Sequence, residues 1–216
     1  MWGNPWQPPA YYQQPHPANA FAQPGPPGGF PGFWGQAGWV PPPNAGYLSN
    51  KYPGLNPILA ADANPMKYDV RKKARNEIAP ATYMPIRNLY ATSSSAVHIR
   101  LISKSFPWSI DVMSNTPVTV EAIWDALYAA LQQHIADSEW GILVNDKDRK
   151  YREAIEKATK RRVDAGDADS RLKRIDWLGA QTLFKGLEKV DGFQELRLLP
   201  GAEDCPETWV VKLGSL

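Results

Sequence analysis

The chain has 216 residues, of which 43% are hydrophobic and 21% are charged. None of its 24 basic and 22 acidic residues precedes Lys51, whereas the first 50 residues hold 12 of the 21 prolines and ten aromatic residues. Charge is therefore confined to about one domain's length of chain, which excludes a single globular unit over the whole sequence. The formal net charge of +2 gives no general argument for a nucleic-acid or membrane partner.

Cysteine content and hydropathy restrict the cellular setting. Cys205 is the single cysteine, which excludes an intramolecular disulfide and a zinc site built from several cysteines. No stretch approaches the roughly 20 apolar residues that span a bilayer, and the start of the chain lacks the basic and apolar regions of a signal peptide. We therefore expect a protein that is intracellular, either cytoplasmic or nuclear, and neither secreted nor bound to a membrane.

Residues 1–57 are predicted to be a disordered tail rich in proline, glycine and aromatic residues. Proline removes backbone N–H donors and fixes φ, and glycine raises the entropic cost of ordering the chain. Aromatic residues spaced through Gln, Asn and Gly also favour self-association of this low-complexity tail.

Two short motifs in the tail predict binding to protein partners. The first is the PPxY pattern of WW-domain ligands, in which a polyproline II segment docks in an aromatic groove and the tyrosine fills a second pocket. The second is a tryptophan before three prolines, which suits the same kind of groove. The alternative is a flexible, weakly adhesive leader. The residues of the two motifs are Pro8, Pro9 and Tyr11, and Trp39, Pro41 and Pro42.

Residues 58–92 are predicted to be an extended connecting arm, because Pro65, Pro80 and Pro85 interrupt any helical periodicity. The arm contains a basic run that is typical of a nuclear import signal. The alternative is a solvated segment beside acidic residues. The run consists of Arg71, Lys72, Lys73 and Arg75.

Residues 93–216 are predicted to be the folded domain, which begins with a β-hairpin. Apolar and polar residues alternate over 97–102 and again over 108–113, which is the periodicity of strands. The short segment between them favours antiparallel pairing. A helix is then predicted from a cap at Thr119 to Ile135, with a wide apolar stripe.

A second long helix is predicted from a cap at Asp146 to about Val163. Its apolar stripe is narrow, and basic residues are concentrated at its C-terminal end. This composition indicates an exposed helix. Nucleic-acid binding is an alternative, although no aromatic residue is interleaved to stack on bases. That function would require the helix and the basic run at 71–75 to be contiguous in the fold.

Three further strands are predicted at 174–178, 193–199 and 208–213. The complete order predicts an α+β fold, with a mainly antiparallel sheet of about five strands and two main helices on one face. A ligand pocket between helix and sheet is the alternative to a surface for protein partners. The residues of that candidate pocket are Trp108, Asp111, Arg174 and Asp176.

The sequence carries no catalytic motif. It lacks the nucleophile elbow, the P-loop and the dinucleotide-binding glycine pattern. Its histidines are His16, His98 and His134, so a metal site would also need carboxylates that no spacing singles out. Cys205 lies among acidic residues, which disfavour the reactive thiolate. We therefore expect no catalytic residue, no metal and no cofactor.

A series of short motifs follows from residue 68 to residue 187. They are Tyr68-Asp69-Val70-Arg71, Pro80-Ala81-Thr82-x-x-Pro85, Phe106-Pro107-Trp108-Ser109-Ile110-Asp111-Val112, Val118-Thr119-Val120, Arg161-Arg162, Arg174-Ile175-Asp176-Trp177-Leu178-Gly179 and Phe184-x-Gly186-Leu187. Over about residues 67–213 this order resembles the domain-of-unknown-function family 6699, common in mushroom-forming fungi (basidiomycetes). Relatives often have a histidine followed by a proline after Ala-Thr, where this chain has Tyr83 and Met84. The family has no established activity, so the resemblance transfers no residue role.

The leading hypothesis is a non-catalytic protein–protein interaction domain with a low-complexity recruiting tail. The second is an enzyme or small-ligand binder with a pocket between helix and sheet, and the third is a nuclear nucleic-acid-associated protein. A deep pocket with buried titratable groups would favour the second, whereas a shallow apolar surface would favour the first.

Overall fold

The described part of the chain begins at Ser49. The computed structural model describes residues 49–64, 66–141, 143, 149–197 and 204–215. The tail motifs at 8–11 and 39–42 and the cap predicted at Asp146 lie outside these residues. Leu55 and Asn56 are buried, so the packed part of the chain starts before the predicted boundary at residue 57.

Strands and helices alternate along the described residues. The strands are β1 Tyr68–Asp69, β2 His98–Ser103, β3 Ile110–Met113, β4 Leu183–Glu188 and β5 Thr208–Gly214. The helices are α1 Ala74–Glu77, α2 Pro80–Ile86, α3 Val120–Leu131, α4 Asp137–Gly141, α5 Arg149–Asp164, α6 Arg174–Trp177 and α7 Phe193–Arg197. Among the helices described here, none combines the length and the apolar character of a membrane span.

The five strands form one sheet in the order β1-β4-β5-β2-β3. Neighbouring strands are antiparallel except β2 and β5, which run parallel with Leu101 opposite Trp209. A parallel pair requires a long crossover, and the chain supplies it with the segment that contains α3 to α7. The predicted α+β fold with a five-stranded sheet is confirmed, although the sheet is mixed.

The predicted hairpin is confirmed as β2 and β3. Ile99 pairs with Val112 and Leu101 pairs with Ile110 in antiparallel register, and all four side chains are buried. Val97 lies just before β2 and is 49% exposed, so the inward face of the hairpin begins at Ile99.

Helix α3 is also confirmed. The Thr119 side chain accepts a hydrogen bond from the Ala122 amide, and a cap of this kind contributes about 1 kcal/mol to stability. The helix ends at Leu131, earlier than predicted, because the backbone of His134 pairs with Lys173 instead of continuing the helix.

Helix α5 is largely exposed, as its charged composition predicted. Its buried residues are Ile155 and Thr159, and its last turn carries Arg161 and Arg162. These two arginines complement the negative end of the helix dipole.

Two predicted strands are helices. Residues 174–177 form α6, because the Asp176 carboxylate accepts a hydrogen bond from the Lys173 amide and caps the first turn. Residues 193–197 form α7, which follows a turn at Gly192 with φ +70°. The prediction of strands there was wrong, and the sheet instead contains β1 and β4.

The segment predicted as an extended arm contains ordered elements. Strand β1 pairs with β4 at the sheet edge, and α1 and α2 follow it. Pro80 begins α2, a position where a missing N–H loses no hydrogen bond. Val70, Ala74 and Tyr83 are buried in the hydrophobic core, so this part of the chain packs with the sheet.

Candidate functional site

Two residues of the predicted pocket are in contact. The Arg174 guanidinium lies 4.9 Å from the centroid of the Trp108 ring. Its Nη2 atom also lies 2.6 Å from Oε1 of Glu139, and both charged side chains are less than one-fifth exposed. The cation is therefore held between an aromatic ring and a carboxylate, which leaves it little capacity to bind a ligand.

The other two residues lie in separate networks. Asp111 is on the exposed face of β3, where its Oδ1 accepts a hydrogen bond from Arg100 Nε at 2.8 Å and lies 2.7 Å from His98 Nε2. Burial raises the pKa of Asp111, but the hydrogen bonds with His98 and Arg100 outweigh it and the net shift is downward. Asp176 is buried and faces α5, so the four predicted residues do not form one site.

A buried ion pair between α5 and α6 forms the floor of a different cavity. Arg162 donates from Nε and Nη2 to the two carboxylate oxygens of Asp176, both at 2.9 Å. The Thr159 hydroxyl and the Lys173 amide also donate to Oδ2 of Asp176 at 2.9 Å. The Asp176 side chain is 3% exposed, so this pair is shielded from water and holds α6 against α5.

The same guanidinium fixes the loop that joins the two helices. Arg162 donates to the backbone carbonyls of Asp169 and Arg171, both at 2.7 Å. Its Nη1 atom also lies 2.8 Å from Asp167, which accepts a second bond from Lys173 Nζ at 2.7 Å. The bond from Lys173 contributes most to holding the pKa of Asp167 well below its usual range.

A cleft of about 500 Å³ adjoins this ion pair. Arg71 and Lys72, in the turn after β1, line one side, and Arg161 and Arg162 line the other. We call this cavity the basic cleft. Its lining also includes Ile175, Gly179 and Thr182, and the acidic residues Asp167 and Asp176.

The cations of the basic cleft differ in how far they are neutralised. Arg71 donates to Asp69, with Nε 2.8 Å from Oδ2, and Lys72 Nζ lies 2.8 Å from Glu77. Burial raises the pKa of Asp69, but the hydrogen bonds from Arg71 outweigh it and the net shift is downward. Arg161 is exposed and makes no ion pair with any residue that the structure describes. Arg161 is therefore the cation most available to an incoming anion.

The basic cleft divides the run that was predicted as an import signal. Arg71 and Lys72 face the cleft, whereas Lys73 Nζ lies 5.7 Å from the centroid of the Tyr128 ring and Arg75 is exposed on α1. The run and the basic end of α5 therefore meet in the fold. The sequence showed both charged stretches, but it carried no signal that they are neighbours.

The histidine after α3 has a carboxylate partner, and the single cysteine is buried. His134 Nε2 lies 2.7 Å from Oδ2 of Asp169, and Cys205 is 3% exposed. Across the described residues, no group of three or more His, Cys, Asp or Glu is placed to hold a metal ion.

Comparison with known proteins identifies one family. The model of a family described as Family of unknown function (DUF6699) matches residues 66–194, from just before β1 into α7. Comparisons with curated proteins and with solved structures found no significant match. Because the family match covers more than half of the chain and includes both sides of the basic cleft, the chain belongs to the DUF6699 family.

Proposed function

We propose that this chain is a protein–protein interaction protein whose basic cleft binds an acidic segment of its partner. The observation that supports this proposal is the meeting of Arg71 and Lys72 with Arg161 at one cavity of about 500 Å³. A cavity of this size accommodates a few side chains rather than a long polymer. The positive charge at its rim favours carboxylate or phosphate groups among those side chains.

The chemistry of the rim suits this role. A guanidinium group presents paired N–H donors that match the two oxygens of a carboxylate or phosphate. The ion pairs of Arg71 and Lys72 leave 58% and 63% of those side chains exposed. Exposed ion pairs contribute only about 0–1 kcal/mol to stability. An acidic ligand therefore competes readily with Glu77 for Lys72, whereas Arg71 stays paired with Asp69, whose side chain is 7% exposed, and adds positive charge at the rim.

Nucleic-acid binding is the competing function, because its requirement for contiguous basic stretches is met at the same cleft. The lining residues include four basic and two acidic side chains, and no aromatic ring lies among them to stack on a base. A nucleic acid would engage several phosphates, so its affinity would fall steeply with salt. One acidic segment in one cleft gives a shallower salt dependence, and this difference separates the two functions.

Replacing Arg161 by glutamine is expected to weaken binding of a glutamate-rich peptide by about tenfold or more, because a hydrogen bond to a charged group contributes about 1.5–3 kcal/mol. Fluorescence anisotropy of the labelled peptide, titrated with the purified full chain, measures this change. Lys157→Gln is the matched control. Lys157 is exposed on the same helix but does not line the cleft, so this variant is expected to bind like the unmodified chain.

Two further probes complete the comparison: a phosphoserine peptide and a single-stranded oligonucleotide. Failure of both acidic peptides to bind contradicts the proposal, and so does an equal loss of affinity in the two variants. Tighter binding of the oligonucleotide, with a steep salt dependence, assigns the cleft to nucleic acid instead.

We also propose that the tail recruits WW-domain proteins through Pro8, Pro9 and Tyr11. Tyr11→Ala is expected to abolish binding of the full chain to a purified WW domain, because the tyrosine fills a pocket of its own. Tyr12→Ala is the control, since Tyr12 is the neighbouring residue and lies outside the motif. Unchanged binding by the Tyr11 variant, measured by titration, would refute this proposal.

A further inference from the structure

Two depressions of about 300 Å³ each lie beside the basic cleft. They share Ser105, Tyr151 and Trp177, and we call the two together the aromatic groove. One of them is also lined by Asp176 and Gly179, which line the basic cleft as well. The aromatic groove and the basic cleft are therefore adjacent.

One face of α5 forms a wall of both cavities. Its positions are spaced three or four residues apart, which places them on the same side of a helix. Gly179 lies on the opposite wall of both cavities, and an added Cβ there would meet no atom within 4 Å. The two cavities therefore lie in a row along α5. The α5 residues are Tyr151, Ala154 and Ile155 in the aromatic groove, and Ala158, Arg161, Arg162 and Ala165 in the basic cleft.

The two ends of this row differ in chemistry. Arg161 is exposed at the basic end. At the other end Tyr151 is 43% exposed and meets Trp177 edge to face, with 5.8 Å between the ring centroids. Trp177 is itself buried against Trp108, with 5.7 Å between their centroids. The row therefore offers a cation at one end and an aromatic surface on a packed backing at the other.

The charge of the aromatic groove also suits an acidic partner. Among the described residues that line it, the acidic one is Asp176, which is 3% exposed and paired with Arg162. Lys104 and Arg197 line the second depression, so positive charge extends beyond the basic cleft. An acidic segment that enters the basic cleft therefore meets no exposed carboxylate when it continues into the aromatic groove.

We propose that the acidic partner segment carries a large apolar side chain, which binds in the aromatic groove while the acidic residues bind in the basic cleft. This inference rests on the proposed function and names the partner's second feature. An aromatic side chain suits Tyr151 and Trp177, because aromatic rings stack or meet edge to face. A depression of about 300 Å³ accommodates one such side chain.

The geometry of α5 sets the spacing within the partner segment. Tyr151 and Arg161 are ten residues apart, which corresponds to about 15 Å along the helix axis. An extended segment advances about 3.3 Å per residue, so the apolar residue lies about four or five positions from the acidic residues.

Fluorescence anisotropy of three labelled peptides, each titrated with the full chain, tests this spacing. Each peptide has the same central run of glutamates in a glycine-serine chain. The first has a tryptophan four positions from each end of the run, so that either chain direction is covered. The second has alanine at those positions, and the third has the tryptophans directly beside the run. The first peptide is expected to bind about tenfold more tightly than the other two, because it buries a large apolar side chain.

Tyr151→Ser tests the assignment to the aromatic groove. In this variant the ratio between the affinities of the first and second peptides is expected to fall from about tenfold to near one, because the exposed ring is removed. Met113→Ser is the matched control. Met113 is also an exposed apolar residue, but it lies outside the lining of all three depressions, so the ratio is expected to remain near tenfold.

The outcomes separate this inference from the proposed function. If none of the three peptides binds, the proposed function fails and the inference fails with it. If all three bind and Arg161→Gln weakens each of them, but the tryptophans add no affinity, the inference alone is overturned. The same gain at both spacings, or a gain that persists in Tyr151→Ser, also overturns it.

Discussion

Replacing Gly186 by alanine is expected to lower the free energy of unfolding by about 3 kcal/mol or more. Gly186 has φ +111°, and a left-handed conformation costs an ordinary residue about 1–2 kcal/mol. An added Cβ would also lie 2.6 Å from the Ala61 Cα and 2.9 Å from the Leu59 carbonyl oxygen. Both are backbone atoms, so no rotamer change relieves the overlap, and overpacking adds about 1–3 kcal/mol.

The overlap arises because the chain segment before β1 pairs in parallel with β4 at this point, where Ala60 bridges to Leu187. The Ala61 amide donates to the Leu187 carbonyl at 2.8 Å, and the Leu187 amide donates to the Leu59 carbonyl at 2.6 Å. The pairing register of β4 with β5 also shifts between Phe184 and Gly186, directly beside this contact. A glycine in the Phe184-x-Gly186-Leu187 motif therefore lets two parts of the core approach at backbone distance.

Urea unfolding followed by circular dichroism measures this change in stability. Gly192→Ala is the matched control, because Gly192 has φ +70° but no atom within 4 Å of an added Cβ. The control is expected to lose only the conformational contribution of about 1–2 kcal/mol. Equal losses in the two variants would contradict the argument from close approach.

The long helices and the β2–β3 hairpin were predictable because their signals are local. The Thr119 cap and the apolar stripe of α3 lie within a few turns of helix, and Ile99 and Leu101 alternate with polar neighbours. Strand β1 has two residues and therefore no periodicity. Its place in the sheet depends on pairing with β4, far along the chain, which no local pattern can indicate.

The error at 174–178 has a specific physical cause. Ile175, Trp177 and Leu178 are all buried, and so is Asp176 between them. An element buried on every side shows no alternation that separates a strand from a short helix. The deciding contact is the one between Asp176 and Arg162, which a single-sequence pattern does not reveal.

The candidate sites were only partly predictable for the same reason. Trp108 and Arg174 were placed in one candidate pocket and are in contact with each other, whereas Asp111 alternates with the buried Ile110 and Val112 and therefore lies on the opposite face of its strand. The basic cleft joins residues after β1 to the end of α5. The sequence shows that both segments are basic, but only the tertiary fold brings them next to each other.

Replacing Asp176 by asparagine is expected to lower the free energy of unfolding by about 3 kcal/mol. Asparagine keeps the shape of the side chain, but it removes the charge that accepts two hydrogen bonds from Arg162. Its amide also replaces an acceptor near the donors of Thr159 and Lys173. Removing one partner of a buried ion pair costs about 3–5 kcal/mol. The remaining bond from Arg162 to Asp167 places this case at the lower end.

The control for this variant is Glu153→Gln, measured by the same urea unfolding. Glu153 pairs with Arg149 one helical turn away, and the two side chains are 58% and 80% exposed. Such an exposed pair contributes about 0.5 kcal/mol or less. A similar loss of unfolding free energy in the two variants would show that burial does not determine how much the Asp176 carboxylate contributes to stability.

Adding Arg162→Met to Asp176→Asn separates the effect of the unpaired Arg162 charge from the effect of the hydrogen bonds that Arg162 makes to the loop. If an uncompensated buried cation causes the instability, the double variant is more stable than the single variant, because the unpaired Arg162 charge has been removed. A double variant that is less stable would instead assign the effect to the carbonyl bonds by which Arg162 fixes the loop before α6. Neither change alters Arg161 or Lys72 at the rim of the basic cleft. An unchanged affinity of the folded double variant for an acidic peptide would therefore show that Arg161 and Lys72 recognise the peptide without the buried ion pair. A loss of affinity would show that the Arg162–Asp176 pair is needed to hold the cleft in its binding conformation.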